Sequence, residues 1–276
     1  MSKTTVRDVE AAYREGEPIT MLTAYDAPIA RLVDRSGVDI VLVGDSAGHN
    51  HLGYGDTLPV TMEEALSNTA AVVRGVEEAL VLADMPFMSY GASIESSVES
   101  AGRFLKEAGA DGVKLETAPE GGITVEIIDR LTNLGIPVQG HLGLTPQRVN
   151  EMGGPVVQGR EGPDSAFADR LVETARDLEA AGVFSLVIEG TTEAVAKRVT
   201  EAVDVPTIGI GAGRYVDGQV LVTNDVIGLD SEGYTLSKGY ADVDSVIEGA
   251  VSEFVEEVRE GAFPTAEHAY DPIGEE

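Results

Sequence analysis

A chain of 276 residues with 43% apolar content can bury a full core, and its length suits one α/β barrel. It carries 48 acidic against 19 basic residues, a formal net charge of −29, and so lacks the basic footprint that nucleic-acid binding needs. Cysteine is absent, which excludes disulfides and thiolate chemistry, and no apolar run approaches the roughly 18 residues of a membrane span.

The stretch 6–15 has helical apolar spacing and leads into an apolar run at 19–24, the first predicted strand. Further strands are predicted at 40–44, 79–84, 112–116, 137–141, 184–189, 206–210 and 220–222. Helical patterns fall between them near 27–36, 62–75, 93–109, 123–134, 165–181 and 192–203, and 243–260 predicts a long C-terminal helix. Gly37, Gly109, Gly135 and Gly182 stand where helices must stop, since glycine readily takes the left-handed cap conformation. No linker, repeat or low-complexity run divides the chain, so residues 1–276 are expected to form a single domain. Eight strands alternating with helices predict an α/β fold of the (β/α)8 TIM-barrel class, with a doubly wound open sheet as the alternative.

Acidic residues are spread along the predicted helices, as at Glu173, Asp177, Glu179, Glu201, Glu253, Glu256 and Glu257. Only Lys3, Lys106, Lys114, Lys197 and Lys238 are lysines. Such a surface suits a protein kept soluble in high salt, where self-repulsion is screened. With no signal-peptide pattern at the N-terminus, the expected location is cytoplasmic.

Five apolar runs end at a residue that can do chemistry: Asp45 in VLVGD, Asp84 in VLADMP, Glu116 in VKLE, His141 in VQGHLGLTP and Glu189 in LVIEG. Any one alone reads as a cap or an ion-pair partner. On successive strands of a barrel they converge on the carboxyl-end rim, where barrel active sites lie. Asp45, Asp84 and Glu116 offer three hard oxygen ligands suited to Mg²⁺ or Mn²⁺. A metal there could chelate a 2-oxo acid and acidify the carbon beside its ketone. Lys114 shares a strand face with Glu116, so it either balances the carboxylates or holds a substrate carboxylate. The acids around it keep it protonated, which argues against a Schiff base.

Glu189 ends an apolar strand ahead of a glycine, and partial burial would raise its pKa and suit it to proton transfer at an enolisable carbon. His141 is expected to orient substrate or donate a hydrogen bond rather than act as the base. His49 and His51 lie in a glycine-rich loop and His268 in the tail, which makes them weaker candidates. The glycines of GIGAG (209–213) suit an anion cradle or tight packing at the rim, and packing is the simpler reading. The long glycine-rich stretch 46–61 reads as an active-site cover.

Taken in order, these segments resemble the ketopantoate hydroxymethyltransferase family. The matching pieces are MLTAYD (21–26), VLVGDSAG (41–48), DTLPVT (56–61), LADMPFMSY (82–90) and VKLE (113–116). They continue with GHLGLTPQ (140–147), GGPVVQGR (153–160), LVIEG (186–190), PTIGIGAG (206–213), DGQVLV (217–222) and FPTAEHAY (263–270). The resemblance implies Mg²⁺ and transfer of a hydroxymethyl group from 5,10-methylenetetrahydrofolate, or a related pterin, to 3-methyl-2-oxobutanoate. The product, 2-dehydropantoate, leads to pantothenate and coenzyme A. Carried over by motif, Asp45 and Asp84 bind the metal with Glu116 as the third acid. Ser46 and Lys114 contact the oxo acid together with the two aspartates, and Glu189 is the base. A homo-oligomer is implied as well, with a decamer among its forms.

The stretch 229–242 departs from the family pattern, lacking an expected segment with proline and phenylalanine and keeping part of it at Lys238 and Tyr240. This bears on lid and donor contacts, not on the metal site. The enzyme alternative is an Mg²⁺-dependent lyase or mutase of the phosphoenolpyruvate-mutase/isocitrate-lyase kind. Those enzymes commonly rely on a reactive cysteine, which this chain lacks. A carboxylate-sensing barrel without turnover would leave Glu189 without a purpose.

Overall fold

A parallel strand buried on both faces must find hydrogen-bond partners on both edges, and closing the sheet satisfies all of them at once. The computed structural model of the chain describes residues 3–229 and 237–270. It pairs β1 (Ile19–Thr23), β2 (Ile40–Val43), β3 (Leu80–Asp84), β4 (Gly112–Glu116), β5 (Val138–Gly143), β6 (Ser185–Glu189), β7 (Thr207–Ile210) and β8 (Gly218–Leu221) in sequence order. The barrel closes by parallel pairing of β8 with β1, where Met21 lies opposite Val220. Every residue of β2, β3, β4 and β5 is buried, which is why these strands read as unbroken runs rather than as alternating ones.

The chain divides into two compact units, one ending at Thr223 and the other starting at Asn224. In the first, Ile19, Met21, Ile40, Leu42, Leu80 and Leu82 belong to one buried cluster with Val187, Ile208 and Val220, all on alternate strand positions that face the barrel interior. A larger cluster joins the outer strand faces to the helices, with Phe104, Ile127, Ile128 and Leu131 fully buried beside Leu115 and Val138. Phe104→Ala should therefore cost about 3–5 kcal/mol, since it removes a large side chain from a site that can collapse only partly. Urea unfolding would read this as a lower midpoint at unchanged slope; a loss of about 1 kcal/mol or less would mean that the neighbours refill the space.

The four predicted helix stops hold: Gly37, Gly109, Gly135 and Gly182 have φ of 80°, 80°, 86° and 88°. The predicted helix at 93–109 is α-helical over Ile94–Arg103 and ends in one π turn, Phe104–Ala108. Two strand boundaries differ from the sequence reading by two residues, and the others by one at most. β5 runs on to Gly143, where a φ of 99° and the absence of a Cβ let the backbone close on Glu189: a Cβ there would lie 2.2 Å from the Glu189 carbonyl. β8 begins at Gly218 because backbone pairing with Ile19 and Ile208 defines the strand, although Gly218 and Gln219 interrupt its apolar run.

In the second unit the helix Val243–Glu260 matches its predicted span and opens with the Asp242 carboxylate accepting from the Ser245 N–H at 3.2 Å. None of its residues is buried. Of the divergent stretch 229–242, residues 230–236 lie outside the described residues. Lys238 Nζ stands 4.5 Å from the centre of the Tyr240 ring.

Candidate active site

A charged group at the end of a buried strand can leave the core only upward, into the space ringed by the eight strand ends. There the barrel opens into a cleft lined by Asp45, Ser46, Asp84, Lys114, Glu116, His141 and Glu189. Every site residue expected from the sequence thus reaches one cavity. His49, His51 and His268 are exposed and do not line it.

Lys114 Nζ lies 2.8 Å from Asp84 Oδ1, and the two side chains are each 6% exposed. The second oxygen, Asp84 Oδ2, accepts from the Asp45 N–H at 3.1 Å. Burial, then the Asp84 charge beside it, pushes the Asp45 carboxyl up to about 7. Burial followed by the Asp45 charge likewise holds Glu116 well above the usual carboxylate range. For Lys114, burial works against the ammonium, but Asp84, Asp45 and Glu116 outweigh it and hold the pKa above its ordinary value. Among these acids the Lys114 amine is held as an ammonium beside Asp84.

His141 is 2% exposed, and burial followed by the Lys114 charge lowers its pKa, so the imidazole is neutral. Its Nδ1 is 3.3 Å from Lys114 Nζ; an ammonium can only donate, so Nδ1 accepts and the ring proton sits on Nε2. Nε2 lies 3.3 Å from Glu189 Oε2, and Glu189 keeps 27% of its side chain exposed to the cleft. The chain Lys114–His141–Glu189 thus presents a carboxylate, steered by a neutral imidazole, opposite a pair of aspartates.

Sequence reasoning passed over Gln147. Its Nε2 donates to Asp45 Oδ2 at 2.8 Å and to the Met85 carbonyl at 3.0 Å, while its N–H donates to Glu116 Oε2 at 3.0 Å. Tyr90 Oη in turn donates to Gln147 Oε1 at 2.8 Å. Pro146 opens the short 3₁₀ turn that sets Gln147 in place, and the TPQ following a strand end was the available signal. Tyr25 Oη shares a 2.9 Å hydrogen bond with Ser46 Oγ. In GIGAG the packing reading holds. A Cβ on Gly213 would stand 2.6 Å from the Glu193 side chain, and one on Gly209 would meet Val216 at 2.9 Å. With the Glu193 carboxylate so placed, the loop is a poor cradle for phosphate.

Among the described residues, no three acidic or histidine side chains stand close enough to enclose an ion as they are placed. Mg²⁺ seldom needs such a cage, because it keeps several waters and binds through one or two carboxylates. Asp45 and Asp84, with Glu116 beyond them, form such a donor set. Four buried or half-buried carboxylates against one ammonium leave an excess of negative charge that fits a divalent cation.

A family model described as ketopantoate hydroxymethyltransferase matches residues 3–266. Over 266 residues the chain is 51% identical to the 3-methyl-2-oxobutanoate hydroxymethyltransferase of Halobacterium salinarum, covering 96% of this chain and 95% of that one. The enzyme of the same name from Thermotoga maritima is 51% identical over 255 residues, with 92% of each chain covered. Among solved structures, phosphonopyruvate hydrolase superposes with a TM-score of 0.62 at 13% identity, covering 98% of this chain and 92% of that one. A 2,3-dimethylmalate lyase of the phosphoenolpyruvate mutase/isocitrate lyase superfamily gives 0.58 at 14% identity, over 99% and 93%. At such identities the likeness is one of fold.

Proposed function

The chain belongs to the ketopantoate hydroxymethyltransferase family, and on that premise we propose how its own residues carry the transfer. It is a one-carbon transferase of pantothenate biosynthesis that acts on 3-methyl-2-oxobutanoate. The donor in our reading is 5,10-methylenetetrahydrofolate or a related pterin. Asp45 and Asp84 hold Mg²⁺, with Glu116 as the third acid beside them. A fold neighbour, phosphonopyruvate hydrolase, has been described in complex with oxalate and Mg²⁺. When bound, Mg²⁺ supplies a second positive centre that orients the oxo acid and draws electron density from its ketone.

Lys114 and Ser46 take the substrate carboxylate, leaving C3 toward β6. Glu189 removes the C3 proton, and the neutral His141, with its proton on Nε2, steers that carboxylate without competing for the proton. Water hydrolyses the donor's methylene bridge, its two protons going to the two nitrogens that leave as the tetrahydropterin and its oxygen staying on the one-carbon unit as formaldehyde. C3 then bonds to that carbon, and the alkoxide that forms takes up the proton held by Glu189. Gln147 holds Asp45 and Glu116 in place throughout. The same reading places the enzyme in the cytoplasm as a homo-oligomer. Its acidic surface suits high salt, in keeping with the relative from Halobacterium salinarum.

The observation that carries this reading is Glu189, steered by His141 and facing the aspartate pair across one cleft. It is tested by proton NMR of 3-methyl-2-oxobutanoate in D₂O at high salt, with Mg²⁺ and no pterin. Metal-dependent loss of the C3 proton signal is expected, with EDTA abolishing it. Exchange that is indifferent to EDTA would remove the metal from the scheme.

A further inference from the structure

A side-chain amide can stand either way round, and its neighbours decide which end faces them. Around Gln147, which is 7% exposed, they leave one choice. Asp45 Oδ2 and the Met85 carbonyl lie at the same end of the amide, 2.8 and 3.0 Å away, and a carbonyl only accepts, so that end is the nitrogen. Both of its N–H groups are thereby used. Tyr90 Oη donates to the amide oxygen at 2.8 Å and fixes the other end. The amide is tied at three points and cannot swing away from Asp45.

The acids of the cleft share a pattern. Asp45 Oδ2 accepts from the Gln147 amide, Glu116 Oε2 from the Gln147 backbone N–H at 3.0 Å, and Asp84 Oδ2 from the Asp45 N–H at 3.1 Å. Each carboxylate is thus tied by one oxygen to an N–H that does not move. To turn both oxygens toward a single ion, Asp45 would have to rotate off the amide and strand a buried donor. Leaving such a donor unpaired costs more than an ordinary hydrogen bond contributes.

We propose that the Gln147 amide restricts Asp45 to a one-oxygen grip and so selects Mg²⁺ over Ca²⁺, a role that rests on the metal site of the function proposed above. Mg²⁺ demands octahedral geometry and is satisfied by single carboxylate oxygens and waters. The larger Ca²⁺ takes more oxygens and often both of one carboxylate. Holding an acid in place would serve any cation, whereas engaging one of its two oxygens favours the smaller ion. Gln147 is in this respect a positioning residue whose effect is on specificity.

The test is calorimetric titration of Mg²⁺ and of Ca²⁺ into EDTA-treated, desalted enzyme at one high concentration of KCl, counting only the site that is lost in Asp45→Ala. Gln147→Met keeps the length of the side chain and removes the amide; Gln147→Asn keeps an amide but draws it back from Asp45. Wild type should bind Mg²⁺ more tightly than Ca²⁺. In both variants the ratio of the two Kd values should move toward Ca²⁺ by about tenfold, the effect of one hydrogen bond to a charged group. A residue that merely supports the fold would weaken both ions alike. An unmoved ratio in Gln147→Met, or in Gln147→Asn should the former not fold, would therefore overturn the proposal. So would a wild type that binds Ca²⁺ as tightly as Mg²⁺. Either result leaves the proposed function standing, whereas a wild type that binds no Mg²⁺ would remove the metal from that function and this proposal with it.

Discussion

Glu189→Gln is expected to slow C3 proton exchange of 3-methyl-2-oxobutanoate by about 10³-fold, the middle to upper range for loss of a positioned general base. The amide matches the carboxylate in shape and can keep facing His141 Nε2, which lies 3.3 Å from the carboxylate in the wild type, so the side chain should keep its place. Glu189 ends β6, whereas of the proposed metal ligands Asp45 follows β2 and Asp84 ends β3. Binding of Mg²⁺ and of the oxo acid should therefore change little. Exchange followed by NMR, with calorimetry for metal and substrate affinity, separates the two. Exchange at the wild-type rate would remove Glu189 as the base. His141 could not inherit the role, because its unprotonated nitrogen faces the Lys114 ammonium. A water activated near Asp45 would then be the next candidate.

Such a base was legible in the sequence because a charge at the end of an apolar run has few cheap places to go. The same logic found Asp45, Asp84 and Glu116, and alternation along VKLE put Lys114 beside Glu116. What escaped has a common cause. Gln147 is neutral, costs little to place anywhere, and acquires a role only from groups brought together by folding. The part played by His141 is likewise a relation among three strands, with Lys114 on β4 and Glu189 on β6, and no spacing within one segment encodes it. A buried acid is also no sufficient sign of a site. Asp34, 5% exposed, accepts from the backbone N–H groups of Glu77, Glu78 and Ala79 and only secures the approach to β3. Its partners lie more than forty residues downstream, in a stretch with no pattern that announces them.

Lys114→Met is expected to destabilise the protein by about 3–5 kcal/mol, the usual cost of stripping one partner from a buried ion pair. Asp84 loses the ammonium 2.8 Å away, and the mutual repulsion of Asp84, Asp45 and Glu116 goes unopposed. For a chain of this length that corresponds to a fall in Tm of about 10 °C. The substitution also isolates the metal question. A cation held by Asp45 and Asp84 replaces part of the lost positive charge, and it binds more tightly once Lys114 no longer competes for those oxygens. Saturating Mg²⁺ stabilises any native state that binds it, by about 2.7 kcal/mol at a hundredfold excess over Kd. In Lys114→Met that gain should exceed the gain in wild type. Thermal unfolding of both proteins with Mg²⁺ or with EDTA, at one fixed high concentration of KCl, compares them with monovalent screening held constant. Equal gains would mean that the ion binds away from this carboxylate cluster and that the Lys114–Asp84 pair is a structural contact only. A larger gain in the variant would place the metal among the acids that Lys114 otherwise neutralises, because only there does losing the lysine improve the site.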